Sequence, residues 1–278
     1  MRQKGFSAIE AIIIILVVAL LALGAWFVFS KNKETNEGVF KSGDSVSWSF
    51  NGSAWEPSSQ PPTCPDPLVF DDSPVDAELV SSLLFPGQYR GNNYKAHGGF
   101  RFDGTKSSDV TVRLPMDGQL TGLVRYMELG ELQYLVTFTN DCGISYRFDH
   151  IATLSDEFQE IAETTPPPKV DDTSSLPIEN GPRFKAGDVV GTAVGFPKKG
   201  NISLDFGVYD LRHPNEISKN AEWAALHRPE QEQTYYGVCW FDMLPEPAKT
   251  TIHDLAMLQV SQGEISDYCS IATRTTLD

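Results

Sequence analysis

The sequence predicts a mainly β protein: one N-terminal transmembrane α-helix, then an extracytoplasmic antiparallel β domain with a small mixed C-terminal segment. Three observations predict it. Residues 11–29 (AIIIILVVALLALGAWFVF) are uncharged and show no polar stripe. From residue 96 to 208 the chain breaks into short apolar alternations separated by Gly, Asp and Asn. All four cysteines follow the apolar run. The 278 residues are enough for one large domain or two small ones. With 37 acidic against 22 basic residues the net charge is −15, which excludes nucleic acid as a partner, because phosphate binding needs a surplus of Lys and Arg. Sixteen Phe, nine Tyr and five Trp exclude a disordered chain.

As a helix, the run 11–29 extends roughly 28 Å, about the thickness of a bilayer core. Trp26 and Phe29 stand at its outer end, where aromatic rings favour the interface. A cleaved secretory signal fits less well, since the apolar stretch is too long and no small-x-small site precedes Lys31. Arg2 and Lys4 balance Lys31 and Lys33, so flanking charge alone does not orient the span. The segment 32–43 (NKETNEGVFKSG) is polar, holds two glycines and lacks a helical apolar period, so the helix is expected to end near residue 35.

The residues before the span carry more. In KGFSAIE, Gly5 precedes Phe6, and Glu10 lies at the fifth position counted from Phe6. This segment resembles the type IV prepilin leader. The resemblance implies processing at Gly5 and Phe6, pairing of Glu10 with a neighbouring subunit's terminal amine, a cytoplasmic N-terminus and a single-pass protein of the cell membrane. The early end of the helix departs from the pilin pattern and speaks against a major filament subunit. The expected organisation is a leader (1–5), transmembrane helix (6–30), linker and lead-in (31–78), β domain (79–215) and a C-terminal extension packed on it (216–278).

Segment 53–74, rich in Pro, Ser and Asp, is expected to be a tether or an irregular lead-in. Strands are expected at GLVRYMEL, LQYLVTFT, SYRFDHI, DVVGTAVGF and ISLDFGVYD, five to eight residues each. Between Glu163 and Pro182, PPPK and DDTSS are expected to carry no strand ladder. Glu216–Leu226 and His253–Gln259 are expected helices.

A set of short motifs recurs in fixed order: His97 in YKAHGGFRFDG, then LPMDGQLTG, FDHI at 148–151, FKAGDVVG at 184–191 and SLDFGV at 203–208. Together they resemble the lysostaphin-type zinc endopeptidases, which cut peptidoglycan cross-links, over roughly residues 90–215. The resemblance implies that His97 is the first metal ligand. The family's aspartate falls on Arg101, with Asp103 the nearest acid, and the two histidines of its H-x-H strand fall on Ser203 and Asp205. His150 matches the remaining active-site histidine, the one that would assist a catalytic water. A zinc site, if functional, would use His97, Asp103 and Asp205; the damaged pattern implies no cofactor and no hydrolysis. His213, His227 and His253 match no family position and are expected at the surface or in turns.

Cys64, Cys142, Cys239 and Cys269 are even in number and lie on the side expected outside the membrane, which points to two disulfides with three possible pairings. Cys239 with Cys269 would pin the C-terminal segment, and Cys64 with Cys142 would fasten the lead-in to the β core. The resemblances imply a membrane-anchored bacterial cell-surface protein whose endopeptidase-like domain binds at the cell wall without cutting it. Two alternatives stay open: an active zinc peptidoglycan endopeptidase, and a minor pilin or pseudopilin of a type IV pilus system. Expected partners are the lipid bilayer, through 11–29, and peptidoglycan or pilus and envelope proteins.

Overall fold

A computed structural model gives the structure, and it describes residues 45–174 and 177–271. The expected leader with Gly5, Phe6 and Glu10, and the expected span 11–29, lie outside the described residues. Among the described residues no helix is long and apolar enough to cross a membrane.

The strands run β1 (Trp48–Phe50), β2 (Trp55–Pro57), β3 (Ser82–Leu84), β4 (Gln88–Arg90), β5 (Asn93–Lys95), β6 (Gly98–Arg101), β7 (Val112–Arg113), β8 (Gly118–Glu128), β9 (Glu131–Thr139), β10 (Ile144–Leu154), β11 (Lys169–Val170), β12 (Arg183–Phe184), β13 (Val189–Val194) and β14 (Ser203–Asp210). The helices are α1 (Asp156–Glu163), α2 (Ala221–His227), α3 (Gln231–Thr234) and α4 (Ala248–Ser261). One ten-stranded sheet has the order β11-β8-β9-β10-β14-β6-β3, with β12 on β8 and β13 joining β10 to β7. The pairings are antiparallel except for β11 on β8, so the expected mainly β, antiparallel character holds. β8 and β9 meet through a two-residue turn in which Leu129 and Gly130 both have positive φ, the backbone such a hairpin needs.

The period of two sorts side chains between the faces of this sheet. One face is aromatic. Phe206 stacks on Phe148 (5.2 Å) and Phe100 (6.0 Å), Phe138 stacks on Tyr146 (5.4 Å), and Trp240 closes over Phe100 and Phe206 at 4.9 and 5.1 Å. Burying each such ring contributes roughly 1.5–3 kcal/mol, so this face supplies most of the driving force. α1 adds Phe158, which stacks on Phe184 at 4.4 Å. Where β6 leaves β14, residues 236–238 take over its place: Asp210 N–H donates to Tyr236 and Val238 N–H to Val208.

Several expectations change. The segment 53–74 is no loose tether: β1 and β2 form a hairpin, Cys64 and Phe70 are buried, and the Phe70 ring meets Phe206 edge-on at 6.2 Å. Beyond Pro57 the prolines deny this segment a ladder but leave apolar side chains free to anchor it. The 163–182 loop does form a short ladder, because the backbone after its prolines is held extended and β11 lies parallel to Tyr126–Met127. α1 was not expected. Glu216–Leu226 is not one helix, since Asn220 ends a 3-10 turn and its side chain caps α2. The helix expected at His253–Gln259 is longer, as α4. Both expected disulfides form, Cys64–Cys142 and Cys239–Cys269, with Cα separations of 5.3 and 5.0 Å.

Candidate functional site: a buried cluster on the polar face

Register fixes which side chains share the second face. Asp205 of β14 stands opposite Gly99 of β6 and opposite Asp149 of β10, and Gly207 stands opposite Arg147. His97 directly precedes β6 and lies across from Gly207, where a Cβ on Gly207 would come within 2.8 Å of the His97 Cβ and of the Tyr209 hydroxyl. Glycine is required there by close approach. His97, Asp149, Arg147, Asp205 and Tyr209 therefore crowd together beneath the aromatic layer's reverse side.

His150 joins them through a bulge. As the neighbour of Asp149 in a regular strand it would point the opposite way. Instead its φ is +64°, the β9–β10 register shifts between Phe148 and Ile151, and its ring comes back toward Asp205. The imidazole packs on Phe196 at 4.9 Å.

The contacts are specific. His97 Nε2 lies 2.9 Å from Asp205 Oδ2, and His150 Nε2 lies 3.7 Å from the same oxygen. The Tyr126 hydroxyl donates to Asp149 Oδ1 at 2.6 Å and sits 3.1 Å from His150 Nδ1. Arg147 donates from Nη2 to Asp149 Oδ2 at 2.8 Å, while its Nε is buried without a protein partner, as is the Tyr209 hydroxyl. Arg90, on the β4–β5 hairpin, donates to the carbonyls of Phe85 and His97 and so fixes the backbone that presents His97.

Burial lowers the His97 pKa, and the adjoining Asp205 does not fully reverse it, so His97 is neutral near pH 7 and its Nε2–H donates to Asp205. Burial alone would raise Asp205; the contacts with His97 and His150 and the Arg90 charge overcome it and hold the carboxyl well below the usual range. Burial also opposes the Arg147 charge, yet Tyr209, Asp149 and Asp205 outweigh it and raise its pKa. Burial, then Asp149, pushes Tyr126 far up, so it stays a donor.

Of the residues singled out in the sequence, the structure brings together His97, Asp205 and His150. It leaves Asp103 elsewhere: that carboxylate is exposed, accepting from Arg101 at 3.0 Å and from the Ser81 hydroxyl at 3.1 Å. Ser203 is buried opposite Arg101. His227 is not a surface residue but is buried, with its ring 4.0 Å from Tyr94 and 4.4 Å from Trp223, because α2 folds back onto the β4–β5 hairpin. Arg147, Asp149, Tyr126 and Arg90 were not anticipated. The signal for two of them was present in R-F-D, whose ends share one face of a strand. Two open cavities, about 510 and 320 Å³, lie along Lys106, Ser107 and Pro197 rather than over the cluster.

No protein-family model matches the sequence, and no curated protein is significantly similar to it. Among solved structures the chain is similar to a zinc-containing peptidase from Vibrio cholerae, with 14% identity over 59% of this chain and a TM-score of 0.31. It is also similar to a chain titled as a glycyl-glycine endopeptidase, lytM, from Ruminococcus gnavus, with 12% identity over 64% of this chain and a TM-score of 0.28. The matches span 43% and 62% of those chains' own lengths. Likeness of that extent carries no weight for the site, whose chemistry follows from its own residues.

Those residues do not fit a zinc centre of the lysostaphin type. Such a centre needs three protein ligands and an open position for water. Here the family's aspartate position is Arg101, Asp205 Oδ2 is already shared by two imidazoles, and the Arg90 and Arg147 charges both bear on the buried cluster. Among the described residues no group of three or more His, Cys, Asp or Glu is arranged to hold a metal.

Proposed function

We propose that this chain is a membrane-anchored, extracytoplasmic binding protein with a lysostaphin-type endopeptidase-like domain, holding wall peptide without cleaving it. The observation that carries this is the donor set: the His97–Asp205–His150 constellation is present, but Arg101 stands at the family's aspartate position and Arg147 pairs with the neighbouring Asp149. Two disulfides suit an oxidising compartment, and the apolar run 11–29 suits an anchor. The polar face, with neutral His97 and the His150 imidazole beside ionised Asp205, offers donors and acceptors to a peptide backbone.

Cosedimentation of the detergent-solubilised chain with purified wall sacculi, combined with an assay for newly released amino groups, tests the proposal. Saturable binding that weakens in His150→Ala, with no amine release, is expected. Amine release that disappears in His97→Ala would establish an active endopeptidase instead, and absence of binding would remove the wall as partner.

A further inference from the structure

We infer that the larger cavity, beside the 195–200 loop, binds a small zwitterion of the amino-acid type, with Glu131 holding its ammonium and Lys106 and Lys198 its carboxylate. This goes beyond the proposed function, because the site lies off the histidine cluster and does not need the wall as partner.

The cavity is bounded by anchored elements. Its volume is about 510 Å³, room for a small ligand. Two 3-10 turns line it, Ser107–Asp109 and Pro197–Lys199, together with the Thr153–Ala193 pair where β10 and β13 slip register. The second turn is tied to β9: Lys198 N–H donates to Glu131 Oε1, and Gln133 Nε2 donates to the Gly195 carbonyl, each at 3.1 Å. Glu131 and Gln133 lie two residues apart and so share one face of that strand. The Ser107 hydroxyl ties the first turn to the Val194 carbonyl at 2.6 Å. Both turns are therefore fixed before a ligand arrives, which lowers the cost of binding one.

The charges along the cavity are unmatched. Glu131 is only 7% exposed, and among the described residues its one donor is the neutral Lys198 N–H. Directly opposite it on the β8–β9 hairpin stands a second acid, Glu128, and like charges so placed destabilise each other. A cation beside Glu131 would relieve both. Lys106 and Lys198 line the same cavity, and among the described residues neither is paired with an acid. Lys169, Lys185, Lys219 and Lys249 are each paired. Two unpaired ammonium groups at one cavity stand out in a chain of net charge −15. A plain anion would meet Glu131 there, and a plain cation would meet both lysines. A ligand carrying both signs gives all three groups charge-assisted hydrogen bonds.

Calorimetric titration of the full chain in mild detergent tests this with three probes: alanine, N-acetylalanine, which lacks the ammonium, and alanine amide, which lacks the carboxylate. Saturable binding of alanine is expected, with each of the other two weaker by roughly tenfold or more for the lost charge-assisted contact. Glu131→Gln keeps an acceptor for Lys198 N–H; it should weaken alanine roughly tenfold without weakening N-acetylalanine. Lys106→Met/Lys198→Met, which alters two exposed side chains, should abolish binding of N-acetylalanine and weaken alanine. Absence of saturable alanine binding, or equal affinity for alanine and N-acetylalanine, would overturn the inference. Should Glu131→Gln fail to fold, the lysine double variant carries the test, and unchanged alanine binding in it would equally overturn the inference. Sacculus binding without alanine binding would sink this site and leave the proposed function standing; alanine binding without sacculus binding would do the reverse.

Discussion

The two faces of the central sheet are made from the same strands and obey different physics. On one, Phe100, Phe148 and Phe206 stack without needing partners of any particular chemistry. On the other, one residue along each strand, His97, Asp149, Arg147 and Asp205 are stable only as a matched set. The aromatic face tolerates any filling of the right volume, whereas the polar face fails when a single partner is removed. The difference locates specificity: stability comes from the first face, chemical identity from the second.

The contrast can be broken from either side. Phe206→Ala should cost about 4 kcal/mol, the usual penalty for emptying a buried ring site, measured as a fall in the denaturant midpoint. Asp149→Ala leaves the buried Arg147 charge uncompensated and should cost about 3 kcal/mol, a loss that Arg147→Met should partly reverse in the double variant while leaving the Phe206→Ala loss unaltered.

Acid should sharpen the contrast further. His97 has a lowered pKa in the fold, so below about pH 6.5 the unfolded chain takes up a proton that the folded chain refuses, and stability falls as pH drops. Asp205, also lowered, adds a second loss as pH falls below about 4. Unfolding midpoints across this range should show both limbs, and His97→Gln should shrink the first, leaving the part that comes from His227, whose pKa burial also lowers. The smallest effect belongs to the sheet edge, where the Gln259 amide of α4 accepts from the Leu83 N–H and donates to its carbonyl, closing β3. Gln259→Leu should cost about 1 kcal/mol by the same denaturant measurement, with no change at the cluster.

Much of the aromatic face was legible in the sequence, because period-two alternation in ISLDFGVYD and SYRFDHI announces it directly. Two disulfides were legible from the even cysteine count, while the pairing that forms, Cys64–Cys142 and Cys239–Cys269, was one of three open to the sequence. His97, Asp205 and His150 came through the order of their motifs. What stayed hidden is the set that decides the chemistry. His150 reaches Asp205 only through a left-handed bulge residue, and strand alternation read without that bulge sends it to the other face. Arg90 acts through a hairpin that folds back onto the His97 carbonyl, a contact with no local sequence signature. Asp103 failed for the opposite reason: nearness in sequence to Arg101, the family's aspartate position, suggested a ligand, while Arg101 and Ser81 already held it at the surface.

The most direct test of a cluster complete without metal is elemental analysis of the full chain, purified in detergent with no chelator and then offered zinc. The prediction is substoichiometric zinc, identical in wild type and His97→Ala. One equivalent of zinc in wild type, lost in His97→Ala or Asp205→Ala, would contradict it.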